Sequence, residues 1–116
     1  MSSRIAVIGT GYVGLTTGAC LAQLGHDVVC ADVDAAKVER LCRGEIPIHE
    51  TGLEAIVREN TANGRLRFVV GAEHAVCDRE FVYLCLPTPQ GLDGSADLSY
   101  VEEAVGQIAH HLPRFC

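Results

Sequence analysis

The segment Arg4-Ile-Ala-Val-Ile-Gly-Thr-Gly-Tyr-Val-Gly14 decides the fold of this chain. Its first half is a short apolar run rich in β-branched residues, which is typical of a strand buried on both faces of a parallel sheet. Gly9 closes that run, and the residues from Tyr12 to Leu24 have the pattern of a helix that ends at Gly25. Strand, glycine turn and helix therefore follow one another directly.

The turn has the Gly-x-Gly-x-x-Gly spacing of a dinucleotide-binding site, in the strand-to-helix context which that motif requires. Gly9 permits the tight turn, Gly11 lets the backbone approach a pyrophosphate, and Gly14 lets the helix pack against the strand. The positive end of the helix then faces the phosphates. The alternative is a glycine turn that serves packing alone.

A second element of the same fingerprint is Asp32, eighteen residues after Gly14 at the end of the next predicted strand. A carboxylate there can accept the hydroxyl protons of an adenosine ribose, and it would repel a 2′-phosphate, which favours NAD over NADP. The alternative for Asp32 is a solvated residue at a strand end. Lys37 could reach the ribose or phosphate edge of the cofactor, or it could be a solvated helix lysine.

Further strands and helices alternate along the rest of the chain. Strands are predicted at Val28–Ala31, Leu66–Val70 and Phe81–Leu86, and a capping box of Thr51 and Glu54 predicts a helix between the first two. Asp34 caps a helix that carries Val38, Leu41 and Cys42, a short helix falls within Glu73–Cys77, and a last helix places Leu98, Val101, Val105, Ile108 and Leu112 on one face before Pro113. This order predicts a Rossmann-type, doubly wound parallel α/β sheet that is incomplete, since it has four strands where a complete domain has about six.

Composition excludes several other classes of function. The chain has 116 residues, a formal net charge of −6 and Lys37 as its only lysine, which argues against binding to nucleic acid or to an anionic membrane surface. No segment resembles a targeting signal or a membrane span. The six cysteines form no Cys-x-x-Cys pair, so we expect buried thiols in a reducing, cytoplasmic setting and no metal site. The histidines form no recognisable site, and Glu102 and Glu103 suit the first turn of the last helix.

The Pro87-Thr88-Pro89 segment follows the last predicted strand, at the sheet edge where open α/β folds bind ligands. Thr88 is therefore a candidate cofactor contact. The prolines could equally serve only to fix the turn.

Five segments together resemble the UDP-glucose/GDP-mannose dehydrogenase family, over nearly the whole chain. They are Ile5-Ala-Val-Ile-Gly-Thr-Gly-Tyr-Val-Gly-Leu15, Asp32-Val-Asp-Ala-Ala-Lys37, Ile46-Pro-Ile-His-Glu-Thr-Gly-Leu53, Pro87-Thr-Pro89 and Ala96-Asp-Leu-Ser-Tyr-Val101. The third departs from the family pattern, which has Tyr-Glu-Pro-Gly-Leu where this chain has His49-Glu-Thr-Gly-Leu53.

The resemblance implies a role for each candidate residue. Asp32 and Lys37 would contact the adenosine ribose side of NAD, and Thr88 would line the NAD site. The pyrophosphate would be held by the turn residues, with Val13 at the cofactor: Gly9, Thr10, Gly11, Tyr12, Val13 and Gly14.

The resemblance also implies what the whole enzyme does. Members of the family oxidise a nucleotide sugar twice with two NAD, here UDP-glucose to UDP-glucuronate, and use a cysteine from a later, substrate-binding domain. Cys20 lies within the first predicted helix and is not that nucleophile. We therefore expect residues 1–116 to be a truncated NAD-binding domain that binds cofactor without catalysis.

Two alternatives stay open. One is a GDP-mannose or UDP-N-acetyl-sugar dehydrogenase of the same family, and the other is a non-catalytic nucleotide-binding module. Because four strands leave a sheet edge uncovered, we also expect homo-oligomers.

Overall fold

The computed structural model describes residues 2–87 and 89–109 and shows a four-stranded sheet with the strand order β3-β2-β1-β4. All three strand pairings are parallel, and helices cover both faces, so the predicted Rossmann-type α/β fold is confirmed. The elements are β1 Arg4–Ile8, α1 Tyr12–Gln23, β2 Asp27–Asp32, α2 Ala35–Cys42, α3 Leu53–Ala62, β3 Leu66–Val70, α4 Ala72–Ala75, β4 Phe81–Leu84 and α5 Ser99–Ile108. Within the described ranges, no helix has the length and apolar character to cross a membrane.

The central strand β1 is apolar on both faces because a separate cluster of side chains packs on each. Ile5 and Val7 belong to a core that includes buried residues of α1, α2 and α3. Ala6 and Ile8 belong to a second core formed with α4 and α5. This two-sided burial explains the uninterrupted hydrophobic run at the start of the sequence.

Helix α1 packs closely on the sheet through small residues. A Cβ on Gly18 would lie 2.6 Å from the Sγ of Cys30, so glycine is needed for the observed approach. Leu15, Ala19 and Ala22 complete the buried side of the helix. The predicted row of Val13, Thr17 and Leu21 lies beside this buried side, and Val13 is 63% exposed.

The two predicted helix caps differ in outcome. The side chain of Asp34 accepts a hydrogen bond from the backbone N of Lys37 at 3.1 Å, which confirms it as the cap of α2. The predicted cap at Thr51 is wrong. Helix α3 begins after Gly52, which adopts a φ of +84°, and no side chain caps it. Glycine adopts this left-handed conformation without strain. Because Gly52 is the residue that precedes the helix, Thr51 lies one residue too early to cap it.

Three predictions about buried faces are also corrected. In α5 the buried residues are Ala104 and Ile108, which pack toward α4, while Leu98 and Val105 lie exposed. Cys42 is exposed rather than part of the buried face of α2. The cysteines as a group are not buried: among those described, Cys30 is buried, Cys85 is intermediate, and Cys20, Cys42 and Cys77 are exposed.

The remaining differences concern ends of elements. Strand β4 ends at Leu84, two residues before the predicted end, although the N–H of Cys85 still donates to the carbonyl of Ile8 at 2.8 Å. The expectations for Thr88, Leu112, Pro113 and Cys116 lie outside the described residues.

Candidate functional site

The carboxyl ends of β1, β2 and β4 meet at a cavity of about 780 Å³. Parallel strands bring their carboxyl ends to one edge of the sheet, which is where open α/β folds bind ligands. The cavity is lined by Ile8, Gly9, Thr10, Gly11, Tyr12, Val13, Ala31, Asp32, Val33, Lys37, Ala72, Leu84, Cys85, Leu86, Pro87, Tyr100, Glu103, Ala104 and Gln107.

The three motif glycines serve two different purposes in the turn after β1. Gly9 adopts a φ of +103°, and a side chain on it would collide with the carbonyl oxygen of Cys85. A Cβ on Gly14 would overlap the carbonyl oxygen of Gly9. A Cβ on Gly11 would meet no described atom within 4 Å. Gly9 and Gly14 are therefore needed for packing, whereas the space beside Gly11 is left for a ligand.

Helix α1 begins at this open space, and its first N–H groups lie before the start of its hydrogen-bond ladder. Its first intrahelical bond runs from the N–H of Leu15 to the carbonyl of Gly11 at 2.9 Å, so the N–H groups of Tyr12, Val13 and Gly14 precede the helical ladder. The first turn carries no acidic residue. Tyr12 and Val13 are 55% and 63% exposed, which leaves the helix end accessible. Such an end attracts phosphate groups.

Asp32 lies at the end of β2 and is held by the turn. Its Oδ2 accepts hydrogen bonds from the backbone N–H of Thr10 at 3.0 Å and from the Thr10 hydroxyl at 2.6 Å. Its Oδ1 accepts the backbone N–H of Asp34 at 3.1 Å. Thr10 is fully buried, and its hydroxyl is directed to the carboxylate of Asp32.

The charge on Asp32 is stabilised by its surroundings. Partial burial raises its pKa, but the hydrogen bonds from Thr10 and Asp34 together with the Lys37 ammonium outweigh burial, and the pKa of the carboxyl lies below its ordinary value. The Nζ of Lys37 is 3.6 Å from Oδ2. The site thus presents an ionised acceptor beside a cation at neutral pH.

The structure brings eight of the nine predicted site residues to one cavity edge or, for Gly14, to the turn that forms it. Thr88 lies outside the described residues. Sequence reasoning missed the contribution of α5, whose residues Tyr100, Glu103 and Gln107 also line the cavity. The available signal was their spacing of three and four residues, which places them on one helix face.

One cysteine lies at the cavity in the described part of the chain. No cluster of three or more potential metal ligands occurs there. Cys85 lines the cavity, but burial raises the pKa of its thiol, which disfavours the reactive thiolate. Cys20 is exposed on α1 and is not among the described residues that line the cavity.

The arrangement suits a nucleotide with a diphosphate and an unmodified ribose. Gly11 and the start of α1 leave room and donors for phosphate, and Asp32 offers an acceptor for ribose hydroxyls. Among the described lining residues Lys37 is the one cation, and the side chains of Asp32 and Glu103 are acidic. A 2′-phosphate on the ribose would be repelled by these acidic side chains.

Comparison with known proteins agrees with this chemistry. Residues 3–115 match the NAD-binding domain of the UDP-glucose/GDP-mannose dehydrogenase family. A UDP-glucose 6-dehydrogenase of Bacillus subtilis is 44% identical over 111 residues, which cover 96% of this chain and 25% of the relative.

Solved structures give the same result. A UDP-glucose dehydrogenase from the archaeon Pyrobaculum islandicum superimposes with a TM-score of 0.88 at 41% identity, over 93% of this chain and 25% of that one. A GDP-mannose dehydrogenase from Pseudomonas aeruginosa superimposes with a TM-score of 0.86 at 36% identity, over 90% of this chain and 24% of that one. The chain spans about a quarter of the length of these relatives.

Proposed function

The chain belongs to the UDP-glucose/GDP-mannose dehydrogenase family as its NAD-binding domain, and from that premise we propose which of its residues hold the cofactor. The pyrophosphate lies on the turn from Gly9 to Gly14 and the N-terminus of α1. The adenosine ribose lies on Asp32 and Lys37, and Thr88 borders the NAD site. The observation that carries this assignment is the open space beside Gly11, next to the ionised Asp32, in one cavity.

The turn fits a pyrophosphate sterically and electrostatically. A ligand can approach the backbone at Gly11 because no described atom fills the volume of a side chain there. The N–H groups of Tyr12, Val13 and Gly14 supply donors, and the helix dipole favours the negative charge. Thr10 contributes its backbone to this turn, while its side chain is directed to Asp32.

The ribose end fits NAD better than NADP. An ionised carboxylate accepts hydroxyl protons but repels a 2′-phosphate, and Lys37 is already paired with Asp32 at 3.6 Å. Val33 and Asp34 supply no second cation.

For the whole enzyme we propose the oxidation of UDP-glucose to UDP-glucuronate. NAD supplies the hydride acceptor at each of the two steps when it is bound. Residues of this chain bind and orient the cofactor, and the substrate-binding domain with the catalytic cysteine lies in the remainder of the parent protein. Residues 1–116 alone are therefore expected to be inactive, because no substrate is held against the nicotinamide.

A second candidate is a dehydrogenase of the same family acting on GDP-mannose or a UDP-N-acetyl sugar. It is favoured by the similarity to the GDP-mannose dehydrogenase structure, with a TM-score of 0.86. A non-catalytic nucleotide-binding module is the third, and it would bind NAD without any turnover in the full-length protein.

The cellular setting and assembly are part of the same proposal. Three exposed, unpaired cysteines, namely Cys20, Cys42 and Cys77, suit the reducing cytoplasm. The outer edge of β4 suits pairing with a second copy, since no strand in the described ranges pairs with it.

The test of cofactor binding is isothermal titration calorimetry of the chain with NAD, with NADP as the control ligand. We expect saturable NAD binding, weaker NADP binding, and a loss of NAD affinity in Asp32→Ala. Equal affinity for NAD and NADP, or an unaffected Asp32→Ala variant, would overturn the ribose assignment. Incubation of the full-length enzyme with each nucleotide sugar identifies the substrate, with two NADH expected per UDP-glucuronate formed.

A further inference from the structure

Thr10 is fully buried in the turn between β1 and α1, yet it carries a hydroxyl group in a motif position that tolerates many residues. That hydroxyl donates to Asp32 Oδ2 at 2.6 Å, and the backbone N–H of the same residue donates to the same oxygen at 3.0 Å. We propose that Thr10 is a positioning residue that fixes the carboxylate of Asp32 for the adenosine ribose of NAD. The inference rests on the ribose assignment proposed above.

The hydrogen-bond capacity of the carboxylate supports this role. A carboxylate has about four acceptor positions, two on each oxygen. The two bonds from Thr10 fill Oδ2, and the N–H of Asp34 takes one position on Oδ1 at 3.1 Å. The remaining capacity therefore lies on Oδ1, and Thr10 determines which oxygen of Asp32 is offered to the cofactor.

Lys37 is close enough to attract the carboxylate of Asp32 when the restraint from Thr10 is removed. Its Nζ is 3.6 Å from Oδ2 and is the nearest described cation. With the Thr10 hydroxyl absent, Oδ2 would keep only the bond from the backbone N–H of Thr10, at 3.0 Å, and the carboxylate would be less restrained from turning toward the ammonium group. The ribose would then have to break a tighter ion pair and reorient the carboxylate on binding, both of which lower affinity.

The alternative is that the Thr10 hydroxyl merely satisfies a buried group for folding. A second buried hydroxyl allows the two to be separated. The Oγ1 of Thr16 in α1 is also buried but has no hydrogen-bond partner among the described residues. Thr16→Val is therefore a matched control that removes a buried hydroxyl without touching Asp32.

The experiment compares Thr10→Val, which keeps the shape, with Thr10→Ser, which keeps the hydroxyl. Calorimetry should show NAD binding roughly tenfold weaker in Thr10→Val, the loss expected for one hydrogen bond to a charged group, and close to wild type in Thr10→Ser and Thr16→Val. In an Asp32→Ala background, where no side-chain acceptor remains for the Thr10 hydroxyl, Thr10→Val should have no further effect on NAD affinity. Carbon-13 NMR of the Asp32 carboxyl in the free protein should show its pKa raised in Thr10→Val and unchanged in Thr16→Val.

The outcomes distinguish a failure of the ribose assignment from a failure of the positioning role of Thr10. If Asp32→Asn binds NAD like the wild type, the ribose assignment fails, and this inference fails with it. If Asp32→Asn binds weakly while Thr10→Val binds NAD as well as or better than the wild type, only the positioning role is overturned. If Thr10→Val does not fold by circular dichroism, Thr10→Ala takes its place. An unchanged Asp32 pKa in a folded Thr10 variant would also overturn the role.

Discussion

The carbonyl oxygen of Gly9 occupies the space that a side chain on Gly14 would need. The end of β1 and the first turn of α1 are therefore in direct contact through backbone atoms. This contact fixes where the N-terminus of α1, with the cavity-lining residues Tyr12 and Val13, lies relative to the sheet edge.

We first predict that Gly14→Ala destabilises the fold. The added methyl group would force α1 away from β1, and such overpacking costs about 1–3 kcal/mol. Urea denaturation followed by circular dichroism measures the change in the free energy of unfolding. Gly106→Ala in α5 is the control, since a Cβ there meets no described atom within 4 Å and alanine favours a helix. Equal stability of Gly14→Ala and wild type would contradict the argument.

Gly11→Ala, in contrast, should leave the stability of the fold nearly unchanged and weaken NAD binding. Gly11 has a φ of −72°, which any residue adopts, and a Cβ there enters open space. We expect the free energy of unfolding to change by less than about 1 kcal/mol, while NAD affinity falls by more than about tenfold because the methyl group occupies the place of the pyrophosphate. Thermal denaturation measures the change in stability, and calorimetry on the same preparation measures the change in NAD affinity. Undiminished NAD binding by a folded Gly11→Ala variant would place the pyrophosphate elsewhere.

The sequence predicts those parts of the site that depend on residues close together in the chain, and not those that depend on tertiary packing. The turn from Gly9 to Gly14, the cap at Asp34 and the position of Asp32 follow from local backbone rules, and each has the predicted place in the structure. The wall formed by Tyr100 and Glu103 does not follow from such rules. It depends on how α5 packs across the sheet through Ala104 and Ile108. Burial of the cysteines likewise depends on tertiary packing, which a local apolar run does not determine.

The pH dependence of stability should carry a contribution from Asp32. The pKa of its carboxyl in the folded protein lies below the ordinary value of 3.8. The carboxylate therefore stabilises the fold at pH values above about 4, and this stabilisation is lost as the pH falls through the lower folded pKa. The difference in unfolding free energy between wild type and Asp32→Asn should be constant from about pH 7 to pH 5 and shrink below about pH 4. A difference that grows on acidification would contradict the assignment. Glu59→Gln on the exposed face of α3 is the control.

The thiols should differ sharply in reactivity. Burial raises the pKa of Cys30 to about 12, with a smaller effect from Cys85, so its thiolate is scarce at pH 8 and its sulfur is shielded. Cys20, Cys42 and Cys77 are exposed. Mass spectrometry after brief iodoacetamide treatment should show the three exposed cysteines alkylated and Cys30 unmodified. Treatment in denaturant should remove the difference, and alkylation of native Cys30 at the rate of Cys20 would refute it.

The two edge strands of the sheet, β3 and β4, differ in charge. Strand β3 carries Arg67, and a charged residue on an edge opposes pairing with a second chain. Strand β4 has no charged residue, its outer edge has no strand partner in the described ranges, and Tyr83 is 43% exposed.

We therefore expect this chain to self-associate through β4, with an average mass in analytical ultracentrifugation that rises with concentration. Tyr83→Lys should shift the distribution toward the monomer because a charge on the edge disfavours strand pairing. Val70→Lys is the matched control, since Val70 is 41% exposed on the opposite edge strand, and it should leave the distribution unchanged. A monomeric wild-type chain at all concentrations, or an equal effect of the two lysine variants, would exclude β4 as the contact.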